Sequence, residues 1–234
     1  MSATNDNLLI AIVGGSGAGK TWLVGRLCAI LGEKACHLAL DDFYRDRSHL
    51  PPSRRARLNF DVPHAIDWSD AGRVLRAGRA GTSTAVPQYD FATHSRRAET
   101  RRWSPAPVVL VEGLWLLRPP EVRRLFDLSI FLDAPENLRF SRRLARDTAE
   151  RGYAPAAVRS RIQASVTPMH ARYVEPQRRW ADVVLAQPFQ AADADRLAAA
   201  LWPLLSARGV LPCGGRETFR NDLSARLVDY AYAN

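Results

Sequence analysis

Lysine is nearly missing from this chain. Of its 33 basic residues only Lys20 and Lys34 are lysines, and neither follows an asparagine. An Asn-Lys-x-Asp guanine motif is therefore excluded, and a switch GTPase with it. Cysteine is scarce as well: Cys28, Cys36 and Cys213 stand far apart and form no C-x-x-C pair. That argues against a disulfide framework or a zinc site and for a reducing cytosol. No apolar run approaches the roughly 20 residues of a membrane span. Residues 1–7 lack the basic start and long apolar region of a secretory leader. The expectation is a cytoplasmic protein with no membrane partner. There is no internal repeat, low-complexity tract, zinc-finger spacing or aromatic-rich RNA-binding signature. A large motor ATPase would need more chain than these 234 residues.

Arginine, by contrast, is abundant, and the net charge is +9. A nucleic-acid partner, a general preference for arginine over lysine, and arginines gathered round a polyphosphate all fit that charge. With no nucleic-acid motif in view, local phosphate chemistry is the preferred reading. One lysine sits where a compact point charge is needed. Gly14-Gly15-Ser16-Gly17-Ala18-Gly19-Lys20-Thr21 fits the phosphate-loop pattern G-x-x-x-x-G-K-[ST] at every fixed position. The apolar run 8–13 before it reads as a strand buried on both faces. Leu23, Leu27 and Leu31 after it recur at helical spacing. A strand, a glycine turn and a helix N-terminus make an anion site, with backbone N–H groups and the helix dipole facing phosphate. Lys20 then reaches the β- and γ-phosphates of ATP or another nucleoside triphosphate, and the Thr21 hydroxyl holds Mg²⁺.

The 234 residues suit one α/β domain with insertions, or two small domains at most, and the hydrophobic fraction of 47% is ample for a real core. Strands are expected over 36–40, 108–113, 128–133 and 181–185. Helices are expected over 68–77, 135–150, 155–166 and 191–207, with Val74 and Leu75 inward on the first. In the helix over 135–150, Leu138, Leu144 and Ala145 are expected on the apolar side. Residues 45–65 read as a loop, 82–89 as an extended, hairpin-like piece and 93–102 as a polar, basic stretch. Strands alternating with helices imply a mostly parallel sheet with right-handed crossovers. In the tail, Leu223, Leu227 and Tyr230 are spaced like a short amphipathic helix.

Ligands bind at the carboxyl ends of such strands. Asp41 and Asp42, Glu112 and Asp133 all fall there. Glu112 best fits a magnesium-holding acid, and Asp41 a base for an attacking hydroxyl, with Asp42 undecided. Asp133, followed by Ala-Pro, reads as a solvated turn residue. Arg142, Arg143, Arg146 and Arg151 lie on or just after one helix. They form either a lid over the transferring phosphoryl group or an exposed basic face.

Several segments together resemble the uridine kinase family, within the wider uridine kinase and phosphoribulokinase group. They are residues 14–21, Asp41-Asp42-Phe43-Tyr44, Asn59-Phe60-Asp61-Val62-Pro63 and Tyr89-Asp90-Phe91-Ala92-Thr93-His94-Ser95-Arg96. Val111-Glu112-Gly113, Arg142-Arg143 through Glu150-Arg151-Gly152, Pro168-Met169-His170, Val174-Glu175-Pro176 and Ala181-Asp182 continue the series to about residue 186. The resemblance implies a fold of the phosphate-loop nucleoside triphosphate hydrolase type: a mostly parallel sheet flanked by helices, with a lid and a nucleoside-binding insertion. The kinase domain would span 1–208, with the insertion at about 45–102 and the lid at about 140–165. Residues 209–234 form an extension of unknown role.

The implied activity is ATP-dependent phosphorylation of the 5′-hydroxyl of uridine or cytidine. In it the Asp41 position is the base, Asp61 and Arg143 hold the ribose, and Tyr89, Phe91 and His94 frame the pyrimidine. Arg146 and Arg151 are lid arginines near the phosphates. The chain departs from the family at Tyr153, where an arginine is usual, and near Arg161, where a glutamine is usual. These changes keep a second reading open: a kinase of another small alcohol, of pantothenate, nicotinamide riboside or sugar-phosphate type. A third is a nucleotide- or nucleic-acid-binding protein without kinase activity. A homo-oligomer is left open.

Overall fold

The computed structural model describes residues 6–55, 57–187 and 189–206. In chain order the elements are β1 (Leu8–Gly14), α1 (Lys20–Leu31), β2 (Ala35–Ala39), α2 (Pro52–Arg55), α3 (Trp68–Arg79), β3 (Thr84–Val86), β4 (Tyr89–Asp90), β5 (Ser95–Arg96) and β6 (Arg101–Trp103). They continue as β7 (Val108–Gly113), α4 (Pro120–Arg123), β8 (Leu128–Asp133), α5 (Glu136–Ala149), α6 (Pro155–Arg161), α7 (Thr167–Met169), β9 (Val183–Ala186) and α8 (Ala191–Ser206).

Five strands form one parallel sheet in the order β2-β7-β1-β8-β9. β1 lies in the middle, and the chain leaves it first towards β7 and β2, then towards β8 and β9. The order therefore reverses beside the carboxyl end of β1, where open α/β sheets bind ligands. Side chains alternate across the sheet. Ile10 and Ile12 of β1, Val108 and Leu110 of β7, and Leu128, Ile130 and Leu132 of β8 join Leu23, Leu27 and Leu31 of α1 and Leu197 and Leu201 of α8 in one core. Leu9, Ala11, Val13, Val109, Val111 and Phe131 face the other way and pack with Val74 and Leu75 of α3 and with Trp115. Burial on both faces explains why these strands read as unbroken apolar runs.

Helix ends follow local chemistry. Asp67 caps α3 by accepting the Asp70 N–H at 3.2 Å. Gly32 ends α1 at φ +56°, a left-handed turn that glycine adopts without a Cβ clash.

Several expectations need correction. Residues 45–65 hold α2 and a 3-10 turn at Pro63–Ala65. The neck of this loop closes through Arg45 N–H to Ala65 O and Asp67 N–H to Phe43 O, both 2.8 Å. The basic stretch at 93–102 contributes β5 and β6, which pair antiparallel with β4 and β3. On α5 the expected apolar side holds in part: Leu144 packs against the cluster of Val158, Ile162 and Val166, but Ala145 is exposed, and Arg139 and Asp147 are the buried residues. The helical path after α6 is not regular but passes through π turns at Ile162–Val166 and His170–Val174. Among the described residues no helix is long and apolar enough to cross a membrane. The spacing at Leu223, Leu227 and Tyr230, and the extension from 209, lie outside the described residues.

Candidate active site

The phosphate loop is built against α5. A Cβ on Gly17 (φ +80°) would lie 2.5 Å from the Arg139 carbonyl oxygen, and one on Gly15 would lie 2.8 Å from His170 Cδ2. Only glycine lets the loop pack this close. Gly19, at φ +94°, precedes α1 with no side-chain cap, and the first turn carries no acid. The leading N–H groups of α1 are thus left for an anion. Lys20 Nζ donates to the carbonyls of Gly14 and Gly15, both at 3.0 Å. Burial lowers its pKa, opposed by Glu112 and Asp41.

Glu112, at the end of β7, is almost fully buried. Its Oε2 accepts from Thr21 Oγ1 at 3.0 Å, and its Oε1 lies 3.1 Å from His37 Nε2 on the neighbouring strand β2. Burial pushes the Glu112 carboxyl up, but His37, Lys20 and Thr21 outweigh it and hold it below the usual range. Asp41 stands in the 3-10 turn after β2, and burial raises its pKa against the pull of Lys20. Asp42 turns elsewhere and lies 3.9 Å from Arg101. Asp133 likewise pairs away from the loop, with Arg178 at 2.9 Å.

Asp41 and Glu112 line a cavity of about 700 Å³ that runs from Ser16, Gly17, Gly19, Lys20 and Thr21 to an aromatic box. Tyr89 and Phe91 meet edge-on at 5.3 Å, and Phe60 stacks on His94 at 4.9 Å and 12°. His94 holds φ +51°, a strained setting for a non-glycine residue. Burial, then Arg161 and Arg151, lowers its pKa. The Tyr89 hydroxyl is buried without a hydrogen-bond partner. Asp61 accepts from Ser165 Oγ at 2.9 Å and lies 3.6 Å from Arg143 Nη1. Arg146 Nη2 reaches Ser16 Oγ at 3.5 Å, and Arg142 Nη1 donates to the Gly17 carbonyl at 3.4 Å. The Arg151 guanidinium sits 4.5 Å over Phe91, and that of Arg161 5.5 Å over Tyr153.

Asp41, Asp61, Tyr89, Phe91, His94, Glu112, Arg143, Arg146 and Arg151 thus share one cavity with the loop, while Gly14, Gly15 and Ala18 complete the loop behind it. Sequence reading passed over four neighbours as site residues: Phe60, Ser165, His37 and Asp147. Phe60 lay inside a recognised motif, but the other three carry no spacing signal.

Thr21 and Glu112 offer two oxygen donors side by side at the loop. Among the described residues no group of three or more His, Cys, Asp or Glu could hold a metal. A sparse oxygen set fits Mg²⁺, which takes few protein ligands and completes its shell with phosphate and water.

Comparison with known proteins places the chain among kinases. The model of the Phosphoribulokinase / Uridine kinase family matches residues 9–191. The uridine kinase of Chloroflexus aurantiacus is 41% identical over 178 residues, 76% of this chain and 85% of the relative. That of Shewanella amazonensis is 37% identical over 183 residues, 76% of this chain and 86% of the relative. Among solved structures, a putative fructose transport system kinase from a Silicibacter species superposes with a TM-score of 0.66 at 25% identity, covering 79% of this chain and 92% of that one. Phosphoribulokinase from Rhodobacter spheroides gives a TM-score of 0.58 at 20% identity over 81% and 74%, a likeness of fold.

Proposed function

The chain belongs to the phosphoribulokinase and uridine kinase family, and from that premise we propose that it phosphorylates the 5′-hydroxyl of a pyrimidine nucleoside, uridine or cytidine. Membership makes it a phosphotransferase of uridine kinase type, and the family implies ATP as donor. The observation that carries the acceptor reading is the single cavity with a phosphate loop at one end and Asp61 with an aromatic box at the other.

In this reading the N–H groups of residues 16–21 and Lys20 bind the donor phosphates. Thr21 and Glu112 hold Mg²⁺, which when bound neutralises phosphate charge. Tyr89, Phe91 and His94 take the pyrimidine: a ring can stack on the aromatic faces and a histidine can bond its edge. Asp61 and Arg143 hold the ribose hydroxyls. Asp41 accepts the 5′-hydroxyl proton while that oxygen bonds the γ-phosphorus and the bond to the β–γ bridging oxygen breaks, leaving ADP. Its raised pKa makes it a better base than a solvated carboxylate. Arg146 and Arg151 neutralise charge on the phosphoryl group in transfer.

Arg161, lining the cavity and stacked over Tyr153, favours a second reading with a different small alcohol as acceptor. One experiment decides. Purified protein with ATP and Mg²⁺ is offered uridine, cytidine, purine nucleosides, nicotinamide riboside, pantothenate and sugar phosphates. Turnover confined to the pyrimidine nucleosides is expected. Strong turnover of another alcohol with none of uridine or cytidine overturns the first reading in favour of the second.

A further inference from the structure

One buried carboxylate, Asp147 on α5, gathers three of the cavity's arginines. Its side chain is 4% exposed. Arg146 Nε and Nη2 donate to its Oδ1 at 3.0 and 2.8 Å. Arg143 Nε lies 3.2 Å from Oδ2, and Arg151 Nη1 lies 3.5 Å from Oδ1. Among the described residues, Arg146 and Arg151 have no other carboxylate at ion-pair distance. Asp147 does not itself line the main cavity. The arginines do, and each also touches something at one end of it. Arg143 reaches Asp61, Arg151 covers Phe91, and Arg146 reaches Ser16 of the phosphate loop. A continuous polar chain therefore runs Asp61–Arg143–Asp147–Arg146–Ser16.

A guanidinium on a long side chain is a poor neutraliser of developing charge unless something holds it in place. Three guanidiniums on one carboxylate also cannot move independently, because shifting one changes the field and the geometry at the other two. We propose that Asp147 is the positioning residue that binds Arg143, Arg146 and Arg151 into one body. Occupation of the acceptor end and of the phosphate end of the cavity are thereby coupled. The proposal rests on the phosphotransfer reading of the cavity, and its first readout does not need the acceptor to be a pyrimidine nucleoside.

The test uses the full chain carrying Asp147→Asn, which keeps size and one acceptor oxygen but removes the charge. Calorimetry measures binding of a non-hydrolysable ATP analogue with Mg²⁺, alone and with saturating uridine, and thermal melting checks the fold. The substitution should weaken the analogue alone about 10-fold by freeing Arg146. Uridine should tighten the analogue about 5- to 10-fold in the parent and not at all in the variant. The kcat should fall about 100-fold, more than either KM rises. Analogue affinity within a factor of two of the parent overturns the proposal, as does unchanged coupling. If the parent neither binds nor turns over uridine, the nucleoside reading falls, and analogue affinity alone decides for Asp147. If D147N does not fold, D147N combined with R146M carries the test, since a cation leaves with the carboxylate. Analogue affinity equal to that of R146M alone supports action through Arg146; a further ~10-fold loss overturns it.

Discussion

Asp41 and Asp42 are chain neighbours with different surroundings. Burial raises both pKa values, but Asp41 interacts with Lys20, Glu112, Arg151 and Arg146 and lines the cavity, whereas Asp42 faces Arg101. Asp41→Asn should lower kcat about 10²- to 10⁴-fold, the usual worth of a general base, with ATP affinity little changed. Asp42→Asn should stay within about threefold, given its place off the cavity. Steady-state kinetics on both variants checks this, and the reverse order would move the base by one residue. His170 supplies a pH test. Burial, with Arg139 alongside, lowers its pKa from 6.5 to about 4. Between those values the unfolded chain takes up a proton that the folded one refuses, so stability falls as pH drops from 6.5 towards 4. Denaturant unfolding at pH 7 and pH 5 should show the loss, and His170→Gln should make the slope shallower.

Among elements, the phosphate loop lies so close to α5 that no side chain fits at Gly17, and this yields a sharp substitution. Gly17→Ala places a methyl 2.5 Å from a backbone carbonyl at φ +80°. It should cost about 2–4 kcal/mol of stability from strain and overlap and abolish binding of an ATP analogue, read by melting and calorimetry. An alanine variant with parental melting and affinity would mean that the loop and helix are not so coupled. Legibility also divides by element. β1, the glycine loop and α1 were plain, because burial on both faces, fixed glycine spacing and leucines at helical period are local signals. α5 is legible as a helix, but part of its buried side is ionic: Arg139 packs beneath the loop and Asp147 is hidden by three arginines, and no hydropathy rule looks for charge inside. β3 falls inside the extended piece expected over 82–89, but β5 and β6 carry no signal of their own, because two- and three-residue pairs owe their existence to distant partners rather than to alternation. Asp41 and Glu112 were legible as acids at strand ends beside the loop and Asp61 through the family resemblance, and all three line the cavity, whereas the contacts of Ser165 and His37 required the fold.

At the scale of the molecule, the phosphate loop hangs on the central strand, and the aromatic end of the cavity is built from segments between β2 and β7. A ligand that spans both ends binds only the folded state, so it must raise the melting temperature with concentration. An ATP analogue at about 100 times its Kd should add about 2.7 kcal/mol, and Lys20→Ala should remove that shift while leaving the ligand-free melt within a few degrees. A shift retained in the alanine variant would mean that the nucleotide sits elsewhere. The loop over 45–65 closes at one neck, and β3–β6 and β4–β5 pair with each other and with no strand of the five-stranded sheet. That segment is joined to the main sheet by side-chain packing and not by strand ladders. A lineage, or an engineer, can lengthen, replace or graft that segment without re-registering a single ladder of the main sheet. The lining of the aromatic end of the cavity can then change while the phosphate loop stays as it is.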